Sequence, residues 1–135
     1  MQDFKKLDVW MRAHKLAIEL HFATRKFPKE ELFGLTSRIR RAAGSIGANI
    51  AEGCGRGTNA ELHRFLVIAF GSASELEHHL LLARGIEILS VSDHRTFERE
   101  TVGIKRMLTR LMERVRPVPI TDNRQPKTKT QGTGA

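Results

Sequence analysis

Tyrosine is absent from this 135-residue chain, tryptophan and cysteine occur once each, and proline occurs four times. With aromatic residues at only 6 %, the core has to be built mainly from aliphatic side chains. A lone cysteine, Cys54, can form neither an intrachain disulfide nor a cysteine zinc site, so nothing in the thiol chemistry argues for secretion. The opening MQDFKKLD holds no apolar signal region. The longest apolar runs, such as Phe65 to Phe70, fall far below the roughly 18 residues needed to span a bilayer. The cytoplasm is the expected location, with no membrane partner. Acidic residues are the minority charge, 15 against 23 basic, which leaves the chain at +8. Such an excess suits nucleic acid or another polyanion, and it also serves solubility.

What is present is helical periodicity. Length and composition suit one domain with one hydrophobic core. A first helix is expected from about Asp8, as cap, to Lys26, with Val9, Ala13, Leu16, Ala17, Leu20 and Ala23 on one face. Phe27-Pro28 ends it, because a residue before proline is pushed out of the helical region. A second helix is expected over about Leu32 to Ala51. Ala42, Ala43, Gly44, Ser45, Gly47, Ala48 and Ala51 leave one of its sides nearly bare, which suits close approach of a neighbouring helix. Gly53 to Gly57 should break it.

The third helix has the clearest start. Thr58-Asn59-Ala60-Glu61 reads as a capping box, in which the hydroxyl takes one free amide and the carboxylate returns to another. Leu62, Ala69, Leu76 and Ala83 recur every seven residues, as do Leu66, Ala73 and Leu80. This is the seam of a helix packed at a shallow angle. Phe65, Val67, Phe70, Leu81 and Leu82 widen its apolar arc beyond one seam, as a contact with a second partner or subunit requires. Ser90 and Asp93 offer a further cap, and a fourth helix runs to about Val115 before Pro117 and Pro119 stop it. The expected fold is all-α, an antiparallel up-down-up-down four-helix bundle over residues 1–116, followed by a disordered basic tail over 117–135.

Leu7-Asp8-Val9-Trp10, Phe27-Pro28-Lys29-Glu30-Glu31, Gly34-Leu35-Thr36, Arg40-Arg41-Ala42, Ser45-Ile46, Asn49-Ile50-Ala51-Glu52-Gly53, Gly55-Arg56, Glu61, Phe65-Leu66, Ile68-Ala69, Gly71-Ser72 and Glu75-Leu76 stand in a fixed order across three helices. In this pattern the chain resembles the bacterial four-helix-bundle family of proteins encoded in intervening sequences of 23S ribosomal RNA genes, which also includes the accessory variability proteins of diversity-generating retroelements. The resemblance covers roughly residues 4 to 90. It implies a bundle that assembles as a ring, commonly a homopentamer, and no established enzymatic activity. In the retroelement relatives it implies binding of a reverse transcriptase and of nucleic acid through a basic surface. The chain departs from the pattern at Arg38, where glutamine is usual, and at Gly44 and Gly47, which replace bulkier residues. The fourth helix and the tail match least.

The family-matched polar residues Arg40, Arg41, Ser45, Asn49, Glu52, Arg56, Glu61, Ser72 and Glu75 form a candidate charge and hydrogen-bond network. Folding the chain back about Gly53 to Gly57 brings Arg38 level with Glu75, Arg41 with Ser72, and Glu52 with Glu61. Glu19 falls near Arg40 or Arg41. A second candidate is a basic ridge on the fourth helix. Arg95, Arg99, Arg106 and Arg110 share one side at helical spacing, with Arg114 just beyond and Glu113 interrupting. Phe97, Ile104, Leu108, Leu111 and Val115 take the far side. Lys105, Arg116, Arg124, Lys127 and Lys129 extend the charge toward the tail. Arginines at this density suit RNA or DNA phosphates, and a solvated helix face is the plainer alternative. The ridge has no interleaved aromatics for base stacking.

No catalytic constellation, metal site or cofactor motif is expected. Glu75 and His78 make one Glu-x-x-His pair where di-iron bundles use two. Cys54 reads as a turn cysteine whose pKa Arg56 would lower slightly. The glycines around it resemble a phosphate loop in composition alone. The expected function is therefore that of a non-enzymatic, nucleic-acid-binding accessory protein. The alternative is a protein-interaction scaffold that docks a partner such as a reverse transcriptase.

Overall fold

A computed structural model describes residues 3–117. The tail expected over 117–135 lies, beyond Pro117, outside the described residues. These residues form an all-α fold with four long helices and no strand: α1 Asp8–Ala23, α2 Ser37–Gly55, α3 Asn59–Gly85 and α4 Val91–Arg114. Each helix contributes fully buried aliphatic side chains to one cluster: Leu16 and Leu20 from α1, Ile39, Ile46 and Ile50 from α2, Leu66, Leu76 and Leu80 from α3, Ile104 and Leu108 from α4. Burying each such side chain stabilises by about 1.5–3 kcal/mol. The packing order is α1 on α2, α2 on α3, α3 on α4, and α4 back on α1.

The ends of α1 differ from expectation. Asp8 is not its cap. Leu7 holds that position without a side-chain hydrogen bond, and Asp8 sits inside the first turn, where its carboxylate faces the positive end of the helix dipole. At the other end the α-helix stops at Ala23, and Thr24–Lys26 tightens into a 3-10 turn. Thr24 is buried there, and its Oγ1 donates to the Leu20 carbonyl at 2.7 Å. Phe27 is extended, as the following proline requires.

The start of α2 also departs from the pattern. The stretch expected to open the helix, Leu32–Thr36, is wound as a wider π turn kinked at Gly34, and regular helix begins at Ser37. The far end runs four residues past the expected stop. Gly53, Cys54 and Gly55 remain helical, and the chain reverses only at Arg56 and Gly57, the latter at φ +88°. The reason is packing. A Cβ on Gly53 would lie 2.9 Å from Phe65 Cβ and 3.3 Å from Leu62 Cα, so α2 and α3 lie close together at Gly53. The bare side at Gly44 and Gly47 was expected to make that approach and does not. Nothing lies within 4 Å of a Cβ on Gly44, and Gly47 faces only the Trp10 indole at 3.4 Å.

On α3 both seven-residue rows are buried: Leu62, Ala69, Leu76 and Ala83, and Leu66, Ala73 and Leu80. Val67, Ile68, Leu81 and Leu82 stay exposed. Thr58 Oγ1 accepts from the Glu61 amide at 3.2 Å, and Ser90 Oγ from the Asp93 amide at 3.0 Å, so both expected caps are made. The second half of the Thr58 box is replaced, because the Glu61 carboxylate turns to Arg64 instead.

Candidate nucleic-acid interface

Helix α4 keeps its two faces apart. Phe97, Ile104, Leu108 and Leu111 are buried against the other helices, while Arg95, Arg99, Arg106, Arg110 and Arg114 are exposed. Among the described residues none of these five guanidiniums has a carboxylate within 4 Å. Among the described residues the ridge guanidiniums are therefore not held in ion pairs, although the exposed Glu113 interrupts their run. Lys105, expected to extend it, points elsewhere: its Nζ donates to Glu77 Oε1 at 2.9 Å and lies over the Phe70 ring. Arg116 is exposed, whereas Arg124, Lys127 and Lys129 lie outside the described residues.

The fold adds a residue to the ridge that the pattern of α4 does not contain. Arg110 and Arg114 line a cavity of about 300 Å³ with Lys6, Met107 and the start of α1 at Leu7 to Val9. The first amides of α1 have no side-chain cap, and such amides favour an anion. Three cations thus gather at a helix N-terminus against one carboxylate, that of Asp8. Lys6 could have been found from sequence only by knowing that the end of α4 returns to the beginning of α1.

The polar residues matched in α2 and α3 divide into separate groups. Ser72 meets Ser45, Oγ to Oγ at 2.8 Å, rather than Arg41. Because α2 continues to Gly55, the register is one helical turn from the one expected. Asn49 joins this pair, its Nδ2 donating to Ser45 Oγ at 2.9 Å and to the Ser45 carbonyl. Arg38 and Arg41 are exposed and have no carboxylate within 4 Å among the described residues, so the Arg38–Glu75 and Arg41–Ser72 pairings are not formed. Glu75 lies 3.3 Å from His79 on its own helix instead.

At the α2–α3 turn, Arg56 bridges Glu52 at 3.0 Å and Glu61 at 3.6 Å, so these two carboxylates are joined through a shared cation. Arg64 also holds Glu61, at 3.2 Å, and both guanidiniums stack over the Phe65 ring. The hydrogen bond from Arg64 holds the Glu61 carboxyl below the usual range, helped by the charges of Arg64 and Arg56. The pairs are solvent-exposed, so each adds little stability. Arg40 does not meet Glu19. Its Nε donates to Thr24 Oγ1 at 2.8 Å and its Nη2 to the His21 carbonyl at 3.2 Å.

Cys54 is not in a turn. It is buried in the last turn of α2, and burial, with a smaller contribution from the Asp3 carboxylate, pushes its thiol pKa up rather than down. A protonated, buried thiol is a poor nucleophile. Gly53 to Gly57 is correspondingly no phosphate loop, since its first half is helix packed on α3. Among the described residues no three histidine, cysteine or acidic side chains stand close enough to hold a metal ion. Among them, too, no helix is long and apolar enough to cross a membrane.

Four helices around one aliphatic core, with an arginine ridge on the last, define an all-α four-helix protein. The chain belongs to the 23S rRNA-intervening sequence protein family, whose model matches residues 5–110. Among solved structures it is similar to a protein of unknown function from the S23 ribosomal protein family of Bacteroides thetaiotaomicron. The two are 23 % identical over 78 % of this chain and 95 % of that one, with a TM-score of 0.72. That likeness concerns the fold. No curated protein matches the chain.

Proposed function

We propose that this protein is a non-enzymatic, cytoplasmic accessory protein that binds nucleic acid through the basic ridge of α4. The observation that carries this reading is the set of five exposed arginines that have no carboxylate within 4 Å among the described residues, two of which share a cavity with Lys6 at the start of α1. Guanidiniums paired to carboxylates would be spent on the fold, whereas these are available to phosphates. The family to which the chain belongs, named for an intervening sequence in a ribosomal RNA gene, is in keeping with such a partner.

In this reading the helices run up-down-up-down. The contacts of Ser45 with Ser72 and of Gly53 with Leu62 and Phe65 support it, because residues farther from the turn on one helix meet residues farther from it on the other. The bundle occupies residues 1–116 and assembles as a homo-oligomeric ring, a pentamer by family resemblance. Exposed Val67, Ile68, Leu81 and Leu82 on α3 supply apolar surface for that assembly. The same surface favours a second reading, a scaffold that docks a protein partner such as a reverse transcriptase without touching nucleic acid.

Binding to labelled RNA and DNA across a salt series separates the two. Affinity for nucleic acid should fall steeply with salt. The Arg106→Ala/Arg110→Ala variant should bind more weakly, with a slope shallower by about 1 per lost phosphate contact. Absence of binding at low salt would overturn the nucleic-acid reading and leave the scaffold, and binding unchanged in the variant would overturn the ridge as its site.

A further inference from the structure

Arg40 has an unusual setting for a half-buried cation. Its guanidinium is fixed by two neutral acceptors, Thr24 Oγ1 at 2.8 Å and the His21 carbonyl at 3.2 Å. The Thr24 hydroxyl is itself locked by donating to the Leu20 carbonyl, so its lone pair is presented to Arg40. Among the described residues no carboxylate lies within 4 Å of Arg40. Partly buried charges are ordinarily paired. This one is positioned and left uncompensated.

Beside it lies a cavity of about 210 Å³, formed where the turn at Phe27 and Pro28 crosses the kinked start of α2. Its wall includes Arg25, Lys29 and Arg40, and no acidic side chain; Glu30 and Glu31, adjacent in sequence, are not part of it. Thr36 completes the wall. It is 2 % exposed, and its Oγ1 has no hydrogen-bond partner among the described residues. A buried hydroxyl without a partner is costly unless a ligand satisfies it.

We propose that this cavity is a phosphate-binding site, in which Arg40 and Thr36 form the inner contacts and Arg25 and Lys29 close over the anion. The guanidinium N–H groups of Arg40 that Thr24 and His21 leave free, an ammonium and a hydroxyl together suit a tetrahedral oxyanion, and three cations without a carboxylate suit a dianion better than a carboxylate ligand. The cavity is smaller than the roughly 300–1,000 Å³ of ordinary ligand pockets. Its size suits a phosphate group. The ligand is inorganic phosphate or a terminal phosphate monoester. The site shares no residue with the ridge on α4 and stands independently of it.

Isothermal titration of the full chain with inorganic phosphate, at constant ionic strength and with acetate as comparator, tests the assignment. Saturable binding is expected, at least about tenfold tighter than acetate and weakened by about tenfold or more in Arg40→Gln. Thr36→Val should bind phosphate more weakly, while its melting temperature in phosphate-free buffer stays equal or rises, because its hydroxyl has no partner to lose. Should Arg40→Gln fail to fold, Arg25→Gln/Lys29→Gln, which changes two exposed side chains, should show the loss instead. Arg106→Ala/Arg110→Ala should keep wild-type phosphate affinity, which separates this site from the ridge.

Matched oligonucleotides with a 5′-phosphate or a 5′-hydroxyl distinguish the sources. Preference for the phosphorylated end assigns the site to a nucleic-acid terminus, and equal binding assigns it to free phosphate. Phosphate binding no tighter than acetate, or wild-type affinity in the folded cavity variants, would overturn the proposal.

Discussion

Gly53 and Gly44 lie on the same helix and have opposite consequences. A methyl group on Gly53 would press on Phe65 Cβ at 2.9 Å and on the Leu62 backbone at 3.3 Å, neither of which can swing away. Gly53→Ala should therefore destabilise by about 1–3 kcal/mol, as overpacking does. Gly44 is exposed in mid-helix with nothing near its missing Cβ, so Gly44→Ala should stabilise by about 0.5–1 kcal/mol. Urea denaturation of the two variants checks both signs, and the reverse order would refute the close approach at Gly53. From sequence Gly44 reads as a close-packing position and Gly53 as a helix breaker, and the structure gives the close packing to Gly53. The difference lies in α3, whose Leu62 and Phe65 reach one and not the other.

At the scale of the element, the beginnings of α3 and α4 were legible in the sequence, and both boundaries of α2 were not. Thr58 and Ser90 cap α3 and α4 through hydroxyls whose partners lie three residues on, a purely local geometry. Thr58→Ala should lower stability by about 1 kcal/mol, measurable in the denaturation midpoint. An unchanged midpoint would mean that packing alone holds the start of α3. The end of α2 could not be read locally. Gly53, Cys54 and Gly55 are poor helix formers in isolation, yet the helix runs through them, with Gly53 packed on Leu62 and Phe65 of α3. That extension carries Ser45, rather than Arg41, to Ser72. On α4 the division between arginines and aliphatics follows the helical period, so its exposed ridge was visible in advance.

For the whole molecule, two surfaces remain to be accounted for: net charge of +8 and a set of apolar side chains on the outside of α3. Charge this far from zero opposes association, while Val67, Ile68, Leu81 and Leu82 favour it. Light scattering after size exclusion should give a mass several times that of the 15.3 kDa chain. Val67→Glu/Leu81→Glu should shift it toward the monomer without loss of helical circular dichroism, because both residues are exposed. A wild-type monomer would remove the ring and leave any multivalency to the ligand.

The sequence by itself determined the number of helices, the faces they bury, two of their caps and the basic side of α4. Each follows from periodicity or hydrogen bonding within a few residues of chain. Tertiary structure alone decided which polar groups meet. It placed Lys6 beside Arg110 and Arg114, turned Arg40 onto Thr24 and away from Glu19, and drew Lys105 off the ridge to Glu77. The physical reason is register. Side-chain pairing between helices depends on the residue at which each turn breaks, and packing across the core, at Gly53 above all, sets that residue.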